Sequence, residues 1–329
     1  MKIVITAFDG CMASAVHGIL DTMAIARQLA EVTSGGGFLD HAVSVATADG
    51  RPAVGYGGLR IDAALSHAEA AGADVLIVPP IMADIETTLA VQLPLVGFLA
   101  SHAPSARLVG SACTGAFLLA EAGLLTNRTI TTNPAFAALF RARYPTVQLA
   151  LEEKIVAGQQ LVLAGSTTAY LDLAVHLVAR LGSPELALAT ARALSIDLNP
   201  GSQRLYQVFV APRDHGDERV HAVQNRIEHD HAKTLSAAAL GRECGLSLRS
   251  LTRRFRAATG MSPAEYHRRV RIETAKRMLE AGNQSLEQIA ISVGFSESQA
   301  FQRAFRIIAG CTPGAYRSRF GLGAAQRFA

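Results

Sequence analysis

Two sets of side chains in this sequence have the types and spacing to do chemistry. Arg249, Thr252, Arg253 and Arg256, at positions i, i+3, i+4 and i+7, share one face of a helix. Ser298, Gln299, Gln302, Arg303 and Arg306 make a similar face about fifty positions on. Arginine bridges the two acceptors of guanine, glutamine pairs with the adenine edge, and hydroxyls and further arginines hold phosphates. The second set centres on a thiol. Ser111-Ala112-Cys113-Thr114-Gly115 puts a cysteine on a tight strand-to-helix turn, where an adjoining helix N-terminus can activate it as a nucleophile.

The elements that carry the basic set form a repeat. Phe255 returns as Phe305, Gly260 as Gly310, Pro263 as Pro313, Tyr266 as Tyr316, and Arg253 and Arg256 as Arg303 and Arg306, each 50 positions on. Leu240-Gly241 and Cys244-Gly245 return as Ile289-Ala290 and Val293-Gly294, 49 positions on. Small, apolar, turn and basic residues kept in step mean one supersecondary unit present twice. In the first copy, a helix from Ser236 to Cys244 meets the turn Gly245-Leu246-Ser247. Ser247 then caps a helix to about Thr259, whose buried stripe is Leu248, Leu251, Phe255 and Ala258. In the second, Ser285 caps Leu286 to Val293, Gly294-Phe295 turns, and Ser296 opens a helix with Phe301, Phe305 and Ile308 inward. Between them, Pro263 to about Glu280 reads as one helix, proline at its start and Gly282 just past its end. It spans roughly 27 Å, enough to hold two recognition helices about one DNA turn apart. The unit is a helix-turn-helix, and two of them make a reader of duplex DNA.

Charge follows the same division. The net charge of +4 is the sum of unlike halves. Residues 213–329 hold 19 Lys and Arg against 11 Asp and Glu, a net of +8, whereas residues 1–212 hold 12 against 16, a net of −4. Only the C-terminal part is therefore expected to meet a polyanion. Asn199-Pro200-Gly201-Ser202 breaks a helix, and Ala211 to Asp217 is polar and turn-rich. These signals divide the chain into a domain over 1–200, a linker over 201–218 and a domain over 219–329. The cysteines Cys11, Cys113, Cys244 and Cys311 have no paired spacing, so neither a disulfide framework nor a metal site is expected. No uncharged run reaches membrane-spanning length. Lys2-Ile3-Val4-Ile5-Thr6, followed by Asp9, reads as a core strand rather than a signal peptide. A cytoplasmic protein without membrane attachment is expected.

In the first two hundred residues, apolar strands alternate with helices. The strands are Ile3 to Thr6, His41 to Ala46, Asp74 to Val78 and Arg107 to Ser111. Helices are expected from Ala13 to Leu29 and from Gly115 to Ala122. That pattern predicts an α/β doubly wound parallel sheet, flavodoxin-like, followed by the all-α tandem helix-turn-helix domain.

Two resemblances extend this reading. Gly294-Phe295-Ser296, Phe301-Gln302-Arg303-Ala304-Phe305 and Gly310 to Arg317 closely resemble the AraC/XylS-type DNA-binding domain. The resemblance implies base-facing positions at Arg249, Ser250, Thr252 and Arg253, and at Ser298, Gln299, Gln302 and Arg303. Cys113 to Phe117, Ala120 to Leu125, Thr131-Thr132-Asn133, Ala164 to Thr168 and Leu171 to Val178 resemble a class I glutamine amidotransferase-like domain of the PfpI type. The combination resembles the GlxA-like group of regulators. It implies a small metabolite effector, amino-acid or amine-derived, an activating role, a homodimer and contact with RNA polymerase.

Enzymes of that superfamily pair the elbow cysteine with a histidine, an acid from the first loop and a glycine pair donating to the oxyanion. Here Asn133 stands at the histidine position, and Ala13 and Ser14 stand where the acid is expected. Pro80-Ile81 replaces the glycine pair, and proline has no N–H to donate. Losing an oxyanion donor costs about 3 kcal/mol in the transition state, and losing the base a further ~10²- to 10⁴-fold. A histidine from elsewhere (His17, His67 or His102) would be needed to rescue a cysteine amidase or hydrolase fused to a DNA-binding domain. No catalytic residue and no cofactor is expected. The loops beyond the carboxyl ends of the strands offer instead a ligand pocket of Asp9, Pro80, Ile81, Cys113, Thr114, Asn133, Ser166 and Thr167. A domain serving only for dimerisation is the other alternative.

Overall fold

The computed structural model describes residues 1–32, 41–198, 203–282 and 284–322. The helix breaker at Asn199 to Ser202 lies outside the described residues. The chain divides into two compact units, Met1–Gln203 and Arg204–Ala329.

The first unit is built on a 7-stranded sheet. Across it run Ile155–Ala157, Leu161–Ala164, Leu108–Ala112, Val75–Val78, Lys2–Thr6, Ala42–Thr47 and Leu65–Ser66. All neighbours are parallel except Ile155–Ala157, an antiparallel edge. Val75, Leu76, Ile77 and Val78 are all fully buried, as a strand covered on both faces must be. Helix Ala13–Val32 packs with Tyr170–Leu181 and Pro184–Ala193, while Ile85–Val91 and Leu93–His102 pack with Ala116–Glu121. The fold is thus a doubly wound α/β sheet.

The second unit is helical and contains two similar cores. Helix Glu218–His229, capped by Asp217, joins Ala237–Glu243 and Leu248–Thr259 around Val220, Val223, Ile227, Leu240, Leu251, Phe255 and Tyr266. Leu286–Ser292 and Ser298–Ala309, with helix Pro313–Phe320, enclose Ile289, Val293, Phe301, Phe305 and Tyr316. Helix Pro263–Ala281 serves both, with Tyr266 and Val270 in the first core and Ile272, Ala275 and Leu279 in the second. Each copy ends its second helix on a left-handed glycine, Gly260 at φ 73° and Gly310 at φ 78°. Each buries a tyrosine whose hydroxyl donates to a carboxylate: Tyr266 to Glu228, and Tyr316 to Glu280 at 2.6 Å. Burial, then the neighbouring carboxylate, raises both phenols well above their usual range.

Some local expectations are corrected. Leu248, expected in the buried stripe, is 52% exposed, because it occupies the first helical turn beyond the core. The second recognition helix is capped at Glu297 rather than opened by Ser296. Within the second unit, Leu205 packs against the second core, and Phe209 and Ala211 against the first.

Candidate functional site

The basic face of the second unit follows from its caps and cores. Ser247 accepts from the Ser250 amide at 3.2 Å and donates to the Ser250 hydroxyl at 3.0 Å, fixing the start of the first recognition helix. With Leu251 and Phe255 buried, Arg249, Arg253 and Arg256 are exposed. Thr252 donates to the Leu248 carbonyl at 2.8 Å and keeps its oxygen free to accept. A groove of about 700 Å³ runs along this face, lined by Leu248, Arg249, Thr252, Arg253, Arg256 and Ala257. In the second copy, Gln299, Gln302, Arg303 and Arg306 are exposed and Ser298 is half-buried. Gln302 donates to the Ser298 hydroxyl at 3.3 Å, leaving its carbonyl oxygen available. All ten predicted residues lie on these two helices or at their starts.

Sequence reasoning missed the arginines that hold the frame. Arg254, beside Arg253, pairs with Asp217 at 2.9 Å, and this guanidinium holds the Asp217 carboxyl below its usual range. Arg271 donates to the carbonyls of His231 at 2.7 Å and Lys233 at 2.9 Å, and its guanidinium lies 5.5 Å from the Phe295 ring centroid. Arg254 sits one position off the outer face, a phase the sequence does show. Arg271 carries no such signal.

In the first unit, Cys113 follows strand Leu108–Ala112 with φ 55°, a left-handed value that a side chain adopts only under strain. The elbow is held by close packing. A Cβ on Gly115 would stand 2.7 Å from the Pro79 carbonyl and 2.8 Å from that of Val78, so only glycine fits. Thr114 is 1% exposed and donates to the Ile81 carbonyl at 2.7 Å. Its hydroxyl serves the turn. Thr132 donates to the Cys113 carbonyl at 2.8 Å.

Around the sulfur the structure gathers Asn133 and Thr167. Asn133 accepts from the Ala135 amide at 3.0 Å, which orients its NH₂ toward Cys113 Sγ at 3.3 Å. Thr167 Oγ1 lies 3.9 Å from the same sulfur, and Ser166 is the neighbouring half-buried residue. Asn133 therefore donates where a general base must accept. Asp9 is exposed and its carboxylate accepts from the Val54 amide at 2.8 Å, anchoring the first loop. Pro80 and Ile81 are buried: the Pro80 carbonyl accepts from Met12 at 3.0 Å, and Ile81 bridges to Cys11. Burial pushes the Cys11 thiol up to about 11. The histidines that could rescue catalysis are engaged elsewhere. His67 stacks on Phe98 at 4.6 Å, His102 meets the same ring at 5.0 Å, and His17 Nδ1 faces the Ala13 carbonyl at 2.8 Å.

A doubly wound α/β domain with an elbow cysteine, followed by two helix-turn-helix units, is the architecture of a DNA-binding transcriptional regulator. The chain belongs to the DJ-1/PfpI family, whose model matches residues 1–180, and residues 240–319 match a helix-turn-helix domain model. It is 26% identical over 263 residues to the HTH-type transcriptional regulator CdhR of Pseudomonas aeruginosa, covering 80% of this chain and 77% of that one. It is 29% identical over 237 residues to the HTH-type transcriptional regulator GlxA of Rhizobium meliloti, covering 68% and 70%. These relatives accord with the GlxA-like group. Among solved structures, a ThiJ/PfpI family protein from Pseudomonas syringae superposes with a TM-score of 0.50 at 18% identity, over 66% of this chain and 78% of that one, a likeness of fold alone. Among the described residues, no helix is long and apolar enough to cross a membrane.

Proposed function

We propose that this protein is a transcriptional activator that reads duplex DNA with both helix-turn-helix units and is controlled by a small metabolite bound beside Cys113. The observation that carries the DNA-reading assignment is the matched pair of exposed polar helices on matched cores. Arg249, Ser250, Thr252 and Arg253 face bases in one half-site, and Ser298, Gln299, Gln302 and Arg303 face bases in the other. Arg256 and Arg306, nearer the helix ends, hold phosphates. Residues 1–200 act as the sensor and 219–329 as the DNA reader, with 201–218 connecting them. The effector pocket uses Cys113, Asn133, Ser166 and Thr167, with Asp9, Pro80, Ile81 and Thr114 shaping its floor and loops. Asn133 and Thr167 present polar groups suited to an amino-acid or amine-derived ligand. The protein works as a homodimer in the cytoplasm and contacts RNA polymerase.

Selection of random duplexes by the full chain tests the DNA assignment. Two short conserved blocks about one helical turn apart are expected, and a pool without enrichment would refute it. A thermal-shift screen against amino acids and amines tests the pocket. A ligand at 100 times its Kd adds about 2.7 kcal/mol of stability, and Thr167→Val should remove the shift.

A further inference from the structure

The chain passes from the first unit to the second at the Gln203–Arg204 peptide bond. Gln203 is 2% exposed and is fixed in the first unit. Its backbone N–H donates to the Glu152 carbonyl at 3.1 Å, and its Nε2 to Thr131 Oγ1 at 3.0 Å and the Leu151 carbonyl at 2.6 Å. Gly165 lies against the same carboxamide: a Cβ there would meet Nε2 and Oε1 at 2.5 Å and Thr131 Oγ1 at 2.7 Å. Thr131 precedes Thr132-Asn133, and Gly165 precedes Ser166-Thr167. One glutamine is thus wedged between the roots of the two loops that flank the Cys113 sulfur.

From the next residue the chain is seated on the second unit. Arg204 donates to the Ile307 carbonyl at 3.1 Å, and Leu205 packs against the second core. Tyr206 accepts from Arg319 at 2.5 Å, and Lys276 donates to the Gln207 carbonyl at 2.5 Å. The Phe209 amide donates to Glu273 at 3.2 Å, and Phe209 packs against the first core. Lys276 and Glu273, 3% and 6% exposed, pair at 3.4 Å on the helix shared by both cores. Buried charges demand such partners, and the strap supplies some of them.

We infer that Gln203 couples the elbow pocket to the DNA reader. Movement of the loops at Thr131–Asn133 and Gly165–Thr167 shifts Gln203, and the strap from Arg204 to Ala211 carries that shift to both helix-turn-helix cores. The inference rests on reading the elbow as an effector pocket, but its test needs no ligand. Coupling is reciprocal, so a perturbation at either end must be felt at the other.

Hydrogen exchange measured by mass spectrometry on the full chain reads this directly. Gln203→Ala should speed exchange at the two loops and also in residues 204–212, by about two- to thirtyfold. The sheet strands Lys2–Thr6 and Val75–Val78 should not change. Lys276→Met, which frees the strap at its other end, should speed exchange in residues 131–135 and 165–169. Effects that stay within the mutated unit in both variants would overturn the coupling. If Gln203→Ala unfolds the first unit, the Lys276→Met arm alone decides. Failure of the effector reading would appear separately, as a metabolite screen without a thermal shift.

Discussion

The two helix-turn-helix copies use equivalent glycines at their turns, yet the structure predicts unequal consequences of changing them. Gly245 has φ 65° and an added Cβ would meet nothing within 4 Å. Gly245→Ala therefore bears only the left-handed strain of an L-residue, about 1–2 kcal/mol. The smaller entropy of the unfolded alanine chain offsets roughly 0.4–1 kcal/mol of it. Gly294 has φ 85°, and its Cβ would stand 2.2 Å from the Ala232 carbonyl oxygen and 2.7 Å from Arg271 Nη2. Arg271 could swing aside, but only by giving up its bonds to His231 and Lys233. The carbonyl belongs to backbone and cannot yield cheaply. Gly294→Ala should thus cost at least about 3 kcal/mol, the scale of overpacking added to backbone strain. Calorimetry of the full chain is the assay. The C-terminal transition should fall by a few degrees at most in Gly245→Ala and by more than about 12 °C in Gly294→Ala. Equal shifts in the two variants would refute the close approach of the second turn to the His231–Lys233 loop.

Arg253 and Arg254 are adjacent, but only Arg254 is tied to Asp217. Arg253→Ala should weaken binding to a selected duplex by about 5- to 150-fold without moving the unfolding midpoint, while Arg254→Ala should lower the midpoint with little loss of base preference. Equal losses of affinity in both would sink the base-reading role of Arg253. Burial lowers the pKa of His67, His176 and His267. The unfolded chain then binds more protons below about pH 6.5, so stability is fully present above that value and falls as pH drops through it. Thermal unfolding at pH 7.5 and 5.5 checks this, and an unchanged midpoint would contradict it. Because Asn133 donates to Cys113 Sγ, neither wild type nor Cys113→Ala should turn over amide, peptide or glyoxal substrates. A rate above background that disappears in Cys113→Ala would overturn the regulator-only reading of the first unit.

The repeat was legible because both cores need the same residues at the same spacing, so Phe255 and Phe305, or Gly260 and Gly310, declare themselves without a structure. The parallel sheet was equally plain in runs such as Val75 to Val78, buried on both faces. Leu248 was misplaced because helical periodicity gives the direction of a side chain, not how far the core extends beneath it. Gln203, Lys276 and Arg271 were invisible for a different reason. Their partners lie 72, 69 and 40 residues away, and long-range bonds of polar side chains leave no period in a sequence. At the elbow, sequence identified Cys113 and Asn133 but not that the Asn133 amide turns its NH₂ toward the sulfur.

The central claim is that both basic faces touch DNA at once, and the salt dependence of binding tests it most directly. Each phosphate neutralised contributes about −0.9 to the slope of log K against log salt. With Arg256 and Arg306 both engaged, the full chain on a selected duplex should give a slope of about −2 or steeper. Arg256→Ala and Arg306→Ala should each flatten it by about one unit, and the double variant by about two. A flat wild-type slope, or one altered by only a single member of the pair, would contradict a tandem reader.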